Sequence, residues 1–230
     1  MKDPRSTSRI RGIVFDMDGT LFSTQKLIVH CVNETARKYL YKSLPREDSL
    51  WSFGPPARNI IRQFARSIPD SPTNQAVDYY DSLYRNNFRE MATGFQGIPE
   101  LLQGLNDSKK SLAIVTSETS TLSEYALEAF SLHDYFDTFV TSDHVSKNKP
   151  DPESVYLALK NMQLGPEDCM LVGDSATDMV AGKRAGLLTG AALWGSETWG
   201  DPRVANPDHL FLDVQELSRF FSIESNMPRR

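Results

Sequence analysis

In "IVFDMDGTL", Ile13 to Leu21, an apolar run drives into two aspartates, Asp16 and Asp18, that flank a single methionine. A carboxylate at the end of a buried run is costly unless something compensates its charge, and a second beside it adds repulsion. Thr116-Ser117 closes the apolar run "SLAIVTS". Gly173-Asp174-Ser175 closes "CMLVGDS", with Asp178 four residues after Asp174, and Lys149 stands in "SKNKPDP". If these runs end along one edge, four carboxylates, two hydroxyls and one ammonium converge there. Hard oxygen ligands favour Mg²⁺, and a lysine beside small hydroxyls suits a phosphoryl group. In such a site one carboxylate can attack phosphorus while a second protonates the leaving oxygen and then deprotonates water.

Taken singly, each piece also has a purely structural reading. Aspartate starts turns, Thr-Ser caps helices, a lysine sits on surfaces, and Ser175 or Asp174 caps the helix that "GDSATD" enters. The conjunction carries the argument, because the pieces follow strand ends in order.

The elements that must position them alternate. "GIVF", "SLAIVT", "DTFVTS", "CMLVG", "LLTGAALW" and "HLFL" are short, mostly continuous apolar runs. Strands covered on both faces of a parallel sheet read this way. Helical patterns lie between the runs, which predicts an α/β fold with a doubly wound parallel sheet, whose ligands gather at the carboxyl ends of the strands. Pro99, Pro152 and Ser120 stand near helix starts, and Gly165 and Gly186 near ends. From about Phe22 to Gly94 no strand is expected. Three helical patterns fill that interval: "TQKLIVHCVNETARKYLYK", "ARNIIRQFARS" and "NQAVDYYDSLYRNNFREMA". The division expected is a core domain of residues 1–21 and 95–230 with a helical cap domain of 22–94.

Composition excludes several classes. The net charge of −5 and the scattered basic pairs give no nucleic-acid footprint. No stretch of 18 apolar residues exists, and the N-terminus carries no apolar signal core, so neither a membrane partner nor export is expected. Two cysteines, Cys31 and Cys169, without framework spacing predict reduced thiols in a cytoplasmic protein. A monomer or homodimer is equally compatible.

With these residues in hand, the chain resembles the haloacid dehalogenase superfamily, whose members are mostly Mg²⁺-dependent phosphatases with a Rossmann-like core. "DMDGT" matches the first motif, Thr116 or Ser117 the second, Lys149 the third and "GDSATD" the fourth, and the helical insert matches a type 1 cap. Lys149 is preferred to Lys147 because it directly precedes Pro150. The resemblance implies that Asp16 is nucleophile and metal ligand, and that Asp18 is acid/base and offers its backbone carbonyl to Mg²⁺. It further implies that Thr116 and Ser117 hold phosphoryl oxygens, that Lys149 neutralises charge, and that Asp174 and Asp178 bind or support the metal.

The same resemblance narrows the chemistry. Asp18 disfavours a true dehalogenase, which lacks that residue. A phosphonate hydrolase needs a cap lysine, for which Lys26, Lys38 and Lys42 are the candidates. Thr20 sides with hydrolases, whereas β-phosphoglucomutases commonly read D-G-V. "SFGPPARN" is similar to the G-x-P turn of phosphoglycolate phosphatases and bacterial pyrophosphatases, with Arg58 a candidate for a second anionic group. Where those families continue "DGTL-x-D-S", this chain has Thr24, so Ser23 or Thr24 is expected to cap the first cap helix. Trp194 and Trp199 are expected to pack near the site's edge. The expected function is hydrolysis of a small phosphorylated metabolite through an aspartyl-phosphate. The alternatives are a phosphomutase and a non-catalytic binding protein of the same fold.

Overall fold

Strand β1, Gly12–Phe15, is buried along its whole length, which is why its sequence does not alternate. It belongs to a computed structural model that describes residues 9–40, 57–66, 72–195 and 201–223. After β1 the chain forms β2 (Phe22–Ser23), α1 (Gln25–Thr35), α2 (Ala57–Arg66), α3 (Thr73–Met91) and β3 (Thr93–Gly94). Then α4 (Ile98–Asp107), β4 (Ser111–Val115), α5 (Ser120–Ala129), β5 (Thr138–Val140) and α6 (Glu153–Met162) follow. The chain continues with β6 (Cys169–Gly173), α7 (Ala176–Ala185), β7 (Leu188–Ala192), β8 (His209–Phe211) and α8 (Val214–Phe220).

Six strands form one sheet in the order β5-β4-β1-β6-β7-β8, every pairing parallel. The α/β doubly wound fold expected from the apolar runs is the one observed. The order places β1 between β4 and β6, with Phe15 level with Ile114 on one side and Val172 on the other. Strand succession reverses at β1, which opens a crevice where these three strands end. Asp16, Thr116 and Asp174 each stand one residue past a strand end, so this register brings them together.

Alternation along β1 divides the core. Ile13 and Phe15 join one apolar cluster, and Val14 joins the other. The Phe15 cluster continues into Leu27 and Cys31 of α1 and Tyr80, Tyr84 and Phe88 of α3. Helix α3 is tied to α5 and the residue after it by rings: Phe88 meets Tyr125 and Phe130 edge-on, each at 5.6 Å. Each such aromatic pair adds about 0.5–1.5 kcal/mol beyond its buried area.

One expectation is corrected. The interval from Phe22 to Gly94 begins and ends in two short strands, with Phe22 opposite Gly94 and Ser23 opposite Thr93 in an antiparallel ribbon. Two-residue strands carry too little periodicity to be legible. Helix α6 ends with Gln163 in the left-handed conformation, φ 56°, with Gly165 two residues beyond, and Gly186 ends α7 at φ 84°. Ser120 opens α5, with Thr119 before it. Both cysteines are free and buried, and burial pushes each thiol up to about 12, which makes them poor nucleophiles. Among the described residues, no helix is long and apolar enough to cross a membrane. The "SFGPP" turn, Lys42 and Trp199 lie outside the described residues.

Candidate active site

Asp16 emerges from β1 with its N–H donating to the Val172 carbonyl at 2.9 Å, so its backbone continues the sheet. Met17 turns into the core and is fully buried, which leaves the flanking Asp16 and Asp18 on the crevice side. Gly19 then takes φ +88°, and a side chain there would begin 2.2 Å from Asp174 Oδ2. Only glycine allows that turn and that approach. Thr20, fully buried, donates its hydroxyl to Asp174 Oδ1 at 3.2 Å. Trp194 Nε1 donates to the Thr20 carbonyl at 3.0 Å, so Trp194 both packs against the core and pins the turn.

Asp16, Asp174 and Asp178 each offer a carboxylate oxygen, all within 4.8 Å of one another, and the three are 8%, 0% and 1% exposed. Lys149 Nζ reaches two of them, at 2.5 Å from Asp16 Oδ1 and 2.6 Å from Asp178 Oδ1, and it also donates to the Val115 carbonyl at 3.0 Å. Lys147 is exposed and lies near Asp151, so Lys149 is the lysine of the cluster. Asp178 is held by the entry to α7. Ser175 caps that helix, accepting from the Asp178 N–H, while the Ser175 N–H donates back to Asp178 Oδ2 at 3.0 Å.

One ammonium does not balance three buried carboxylates. Burial pushes Asp16 up to about 7, with Asp178 adding to the shift and Lys149 opposing it. Asp174 is raised well above the usual carboxylate range by burial and by its two neighbours. Burial works against the charge of Lys149, but Asp16 and Asp178 outweigh it and raise its pKa. A compact set of hard anionic oxygens short of positive charge fits a divalent cation such as Mg²⁺.

Asp18 stands apart from this set. Its carboxyl faces the helices, accepting from the Thr24 hydroxyl at 2.6 Å and from Tyr84 OH at 3.5 Å. Burial raises Asp18 to about 6, and the Thr24 hydrogen bond opposes the rise. Thr24 occupies the position before α1, but its side chain makes no capping bond there, because its hydroxyl is committed to Asp18. Thr116 is buried and its Oγ1 accepts from the Glu118 N–H at 3.1 Å; Ser117 beside it is half-buried.

Arg58 is turned to other use. Its Nη2 pairs with Asp81 of α3 at 2.7 Å, so an anion there would have to compete with a carboxylate already bound. Lys26 and Lys38 are exposed, and Lys38 lies 3.8 Å from the centre of the Tyr79 ring. Tyr84, which donates to Asp18, Tyr80 one turn before it on α3, and Glu118, whose N–H donates to Thr116 Oγ1, were not revealed by the motifs. The two tyrosines are four apart on one helix face, a spacing that is ordinarily just core.

The chain is similar to several known proteins. The chain is 31% identical to the pyrophosphatase PpaX of Bacillus velezensis over 209 residues, covering 91% of this chain and 95% of that one. It is 29% identical to PpaX of Bacillus cereus over 96% of its own length and 99% of the relative's. Among solved structures, a predicted phosphoglycolate phosphatase from Haemophilus somnus superposes with a TM-score of 0.80 at 19% identity, covering 92% of this chain and 97% of that one. CbbY from Rhodobacter sphaeroides, solved with phosphate, superposes at 0.77 with 25% identity over 90% of this chain and 96% of its own. The model of the haloacid dehalogenase-like hydrolase family matches residues 13–192, which spans the strand ends and the acidic cluster they carry, and the chain belongs to that family.

Proposed function

We propose that this chain is a Mg²⁺-dependent phosphatase that hydrolyses a small phosphomonoester through an aspartyl-phosphate on Asp16. The observation that carries the reading is the Lys149 ammonium bridging Asp16 and Asp178 at the edge of a three-carboxylate cluster. Asp16 Oδ attacks phosphorus and the ester P–O bond breaks. Asp18 gives its proton to the departing oxygen, then takes one from the water that attacks the phosphoaspartate. Inorganic phosphate leaves and Asp16 is regenerated. Thr116 and Ser117 orient phosphoryl oxygens, and Lys149 offsets their charge. Asp16, Asp174, Asp178 and the Asp18 backbone carbonyl would hold Mg²⁺, which when bound supplies positive charge to nucleophile and phosphoryl group.

Residues 22–94 act in this reading as a cap that excludes water from the strand ends. The paired β2 and β3 at its two junctions and the reach of Tyr84 to Asp18 support it. The names of the relatives, a pyrophosphatase and a predicted phosphoglycolate phosphatase, support phosphate chemistry. The free, buried cysteines accord with action in the cytoplasm.

The test is rapid quenching during turnover of a phosphomonoester with Mg²⁺. A hydroxylamine-labile phosphoryl group on Asp16, followed by free phosphate, is the expected result. Phosphate release with no phosphoprotein at any time would overturn the aspartyl-phosphate, and an isomerised product without release would indicate a mutase.

A second prediction concerns Thr24. Thr24→Val keeps the side-chain shape but removes the donor to Asp18 Oδ1. It should lower kcat by about ten-fold or more on alkyl phosphates, whose departing oxygen needs a proton, and much less on p-nitrophenyl phosphate. The pH profile should shift upward, because the lost hydrogen bond had been lowering the Asp18 pKa. Equal losses on both substrates would remove Thr24 from this role.

A further inference from the structure

Trp194 and Gly195 follow β7 and take no part in the proposed chemistry, yet both close on the turn beyond Asp16. The Leu193 N–H donates to the Phe211 carbonyl at 2.8 Å and the Gly195 N–H to the Ala192 carbonyl at 3.3 Å, which anchors this segment to the ends of β7 and β8. From there Trp194 Nε1 donates to the Thr20 carbonyl at 3.0 Å, across 174 residues of chain. The indole packs against the Phe15 cluster, which fixes where its N–H points. Gly195 comes closer still. A side chain there would begin 1.6 Å from the Gly19 carbonyl oxygen and 3.1 Å from Asp174 Cβ. No residue but glycine fits unless the Gly19 turn moves.

The loops after β1, β6 and β7 therefore meet at one point, and Asp174 lies in it. Its carboxyl is fully buried, faces the bare Gly19 Cα and accepts the Thr20 hydroxyl at 3.2 Å. Thr20 is itself held from two sides. Its N–H donates to the Met17 carbonyl at 3.2 Å, and its own carbonyl accepts from Trp194. Loosening the Trp194 bond frees the peptide that aims the Thr20 hydroxyl, and with it the carboxylate. Groups that orient a ligand from behind set metal affinity nearly as strongly as the ligands do.

We propose that Trp194 and Gly195 are positioning residues for Asp174. They clamp the Gly19–Thr20 turn so that the Asp174 carboxylate stays grouped with those of Asp16 and Asp178 as a cation ligand. The affinity of the cluster for a divalent cation thus depends on the segment after β7. The proposal rests on the Mg²⁺ reading of that cluster.

The experiment titrates Mg²⁺ and reads Tm, from which the dissociation constant follows without turnover. Trp194→Phe keeps a ring in the core and removes the donor. It should raise the Mg²⁺ dissociation constant about ten-fold, and half-maximal phosphate release should need about ten-fold more Mg²⁺. Gly195→Ala should raise the constant further, and Trp194→Phe carries the decision where that variant does not fold. Thr20→Val cuts the path from Trp194 to Asp174, so adding Trp194→Phe to it should cost less than about two-fold more. An unchanged constant in Trp194→Phe, even with a lower Tm, makes Trp194 a packing residue and overturns the proposal. A full ten-fold loss in the Thr20→Val background does the same. A wild-type Tm that Mg²⁺ does not raise overturns the metal reading, and this proposal with it.

Discussion

Asp16→Asn should reduce phosphate release by about 10⁴-fold or more while leaving the fold intact. An amide oxygen is a far weaker nucleophile than a carboxylate, and no neighbouring group can replace it. Asp174 is covered by the Gly19 turn and bound by Thr20, and Asp178 is held in the cap of α7. Stability should hold or rise, because the substitution removes one of three mutually repelling buried carboxylates while Lys149 keeps Asp178. The measurements are phosphate release on the substrate found best for the wild type and a thermal melt of both proteins. Turnover near the wild-type level in a folded Asp16→Asn protein would remove the nucleophile assignment.

Withdrawing the metal should have an effect of similar size. Excess chelator should stop phosphate release, and added Mg²⁺ should restore it. Binding is also expected to show without any turnover. A cation that occupies the three-carboxylate cluster stabilises only the folded state, by about 2.7 kcal/mol at a hundred times its dissociation constant. For a chain of this size that corresponds to a rise in Tm of about 5–10 °C. In Asp174→Asn, Mg²⁺ should raise Tm far less, although the variant without metal should melt no lower than the wild type without metal. The fully buried Asp174 is raised strongly by Asp16 and Asp178 and relieves that repulsion when neutralised. Activity persisting in excess chelator, or equal Mg²⁺ shifts in both proteins, would sink the metal model.

The chemistry-bearing residues of the strand ends were legible because each lies within one or two residues of the run that positions it. Asp16, Asp174 and Thr116 needed only parallel strands to be brought near one another, and continuous apolar runs such as "CMLVG" signal such strands. Lys149 was legible by its place before Pro150, and its burial against Asp16 and Asp178 agrees with that choice over the exposed Lys147. Side-chain commitments were not legible. Thr24 reads as a helix cap until its hydroxyl is seen on Asp18, and Arg58 reads as a free cation until Asp81 is seen beside it.

What the sequence by itself determined is therefore the set of reactive groups, their order, and the alternating sheet that carries them. These follow from local periods and from the cost of ending buried strands in charge. Only the tertiary structure decided which partner each group takes. Asp18 faces Tyr84 of α3, sixty-six residues away, and Glu118 lies within electrostatic reach of Asp18, Asp81 and Arg58. Such pairings arise where α3 folds back over the strand ends, and a hydrogen bond across that distance leaves no period in the chain. The sequence sets the acids at the strand ends, and the packing of α3 above them decides which partners they take.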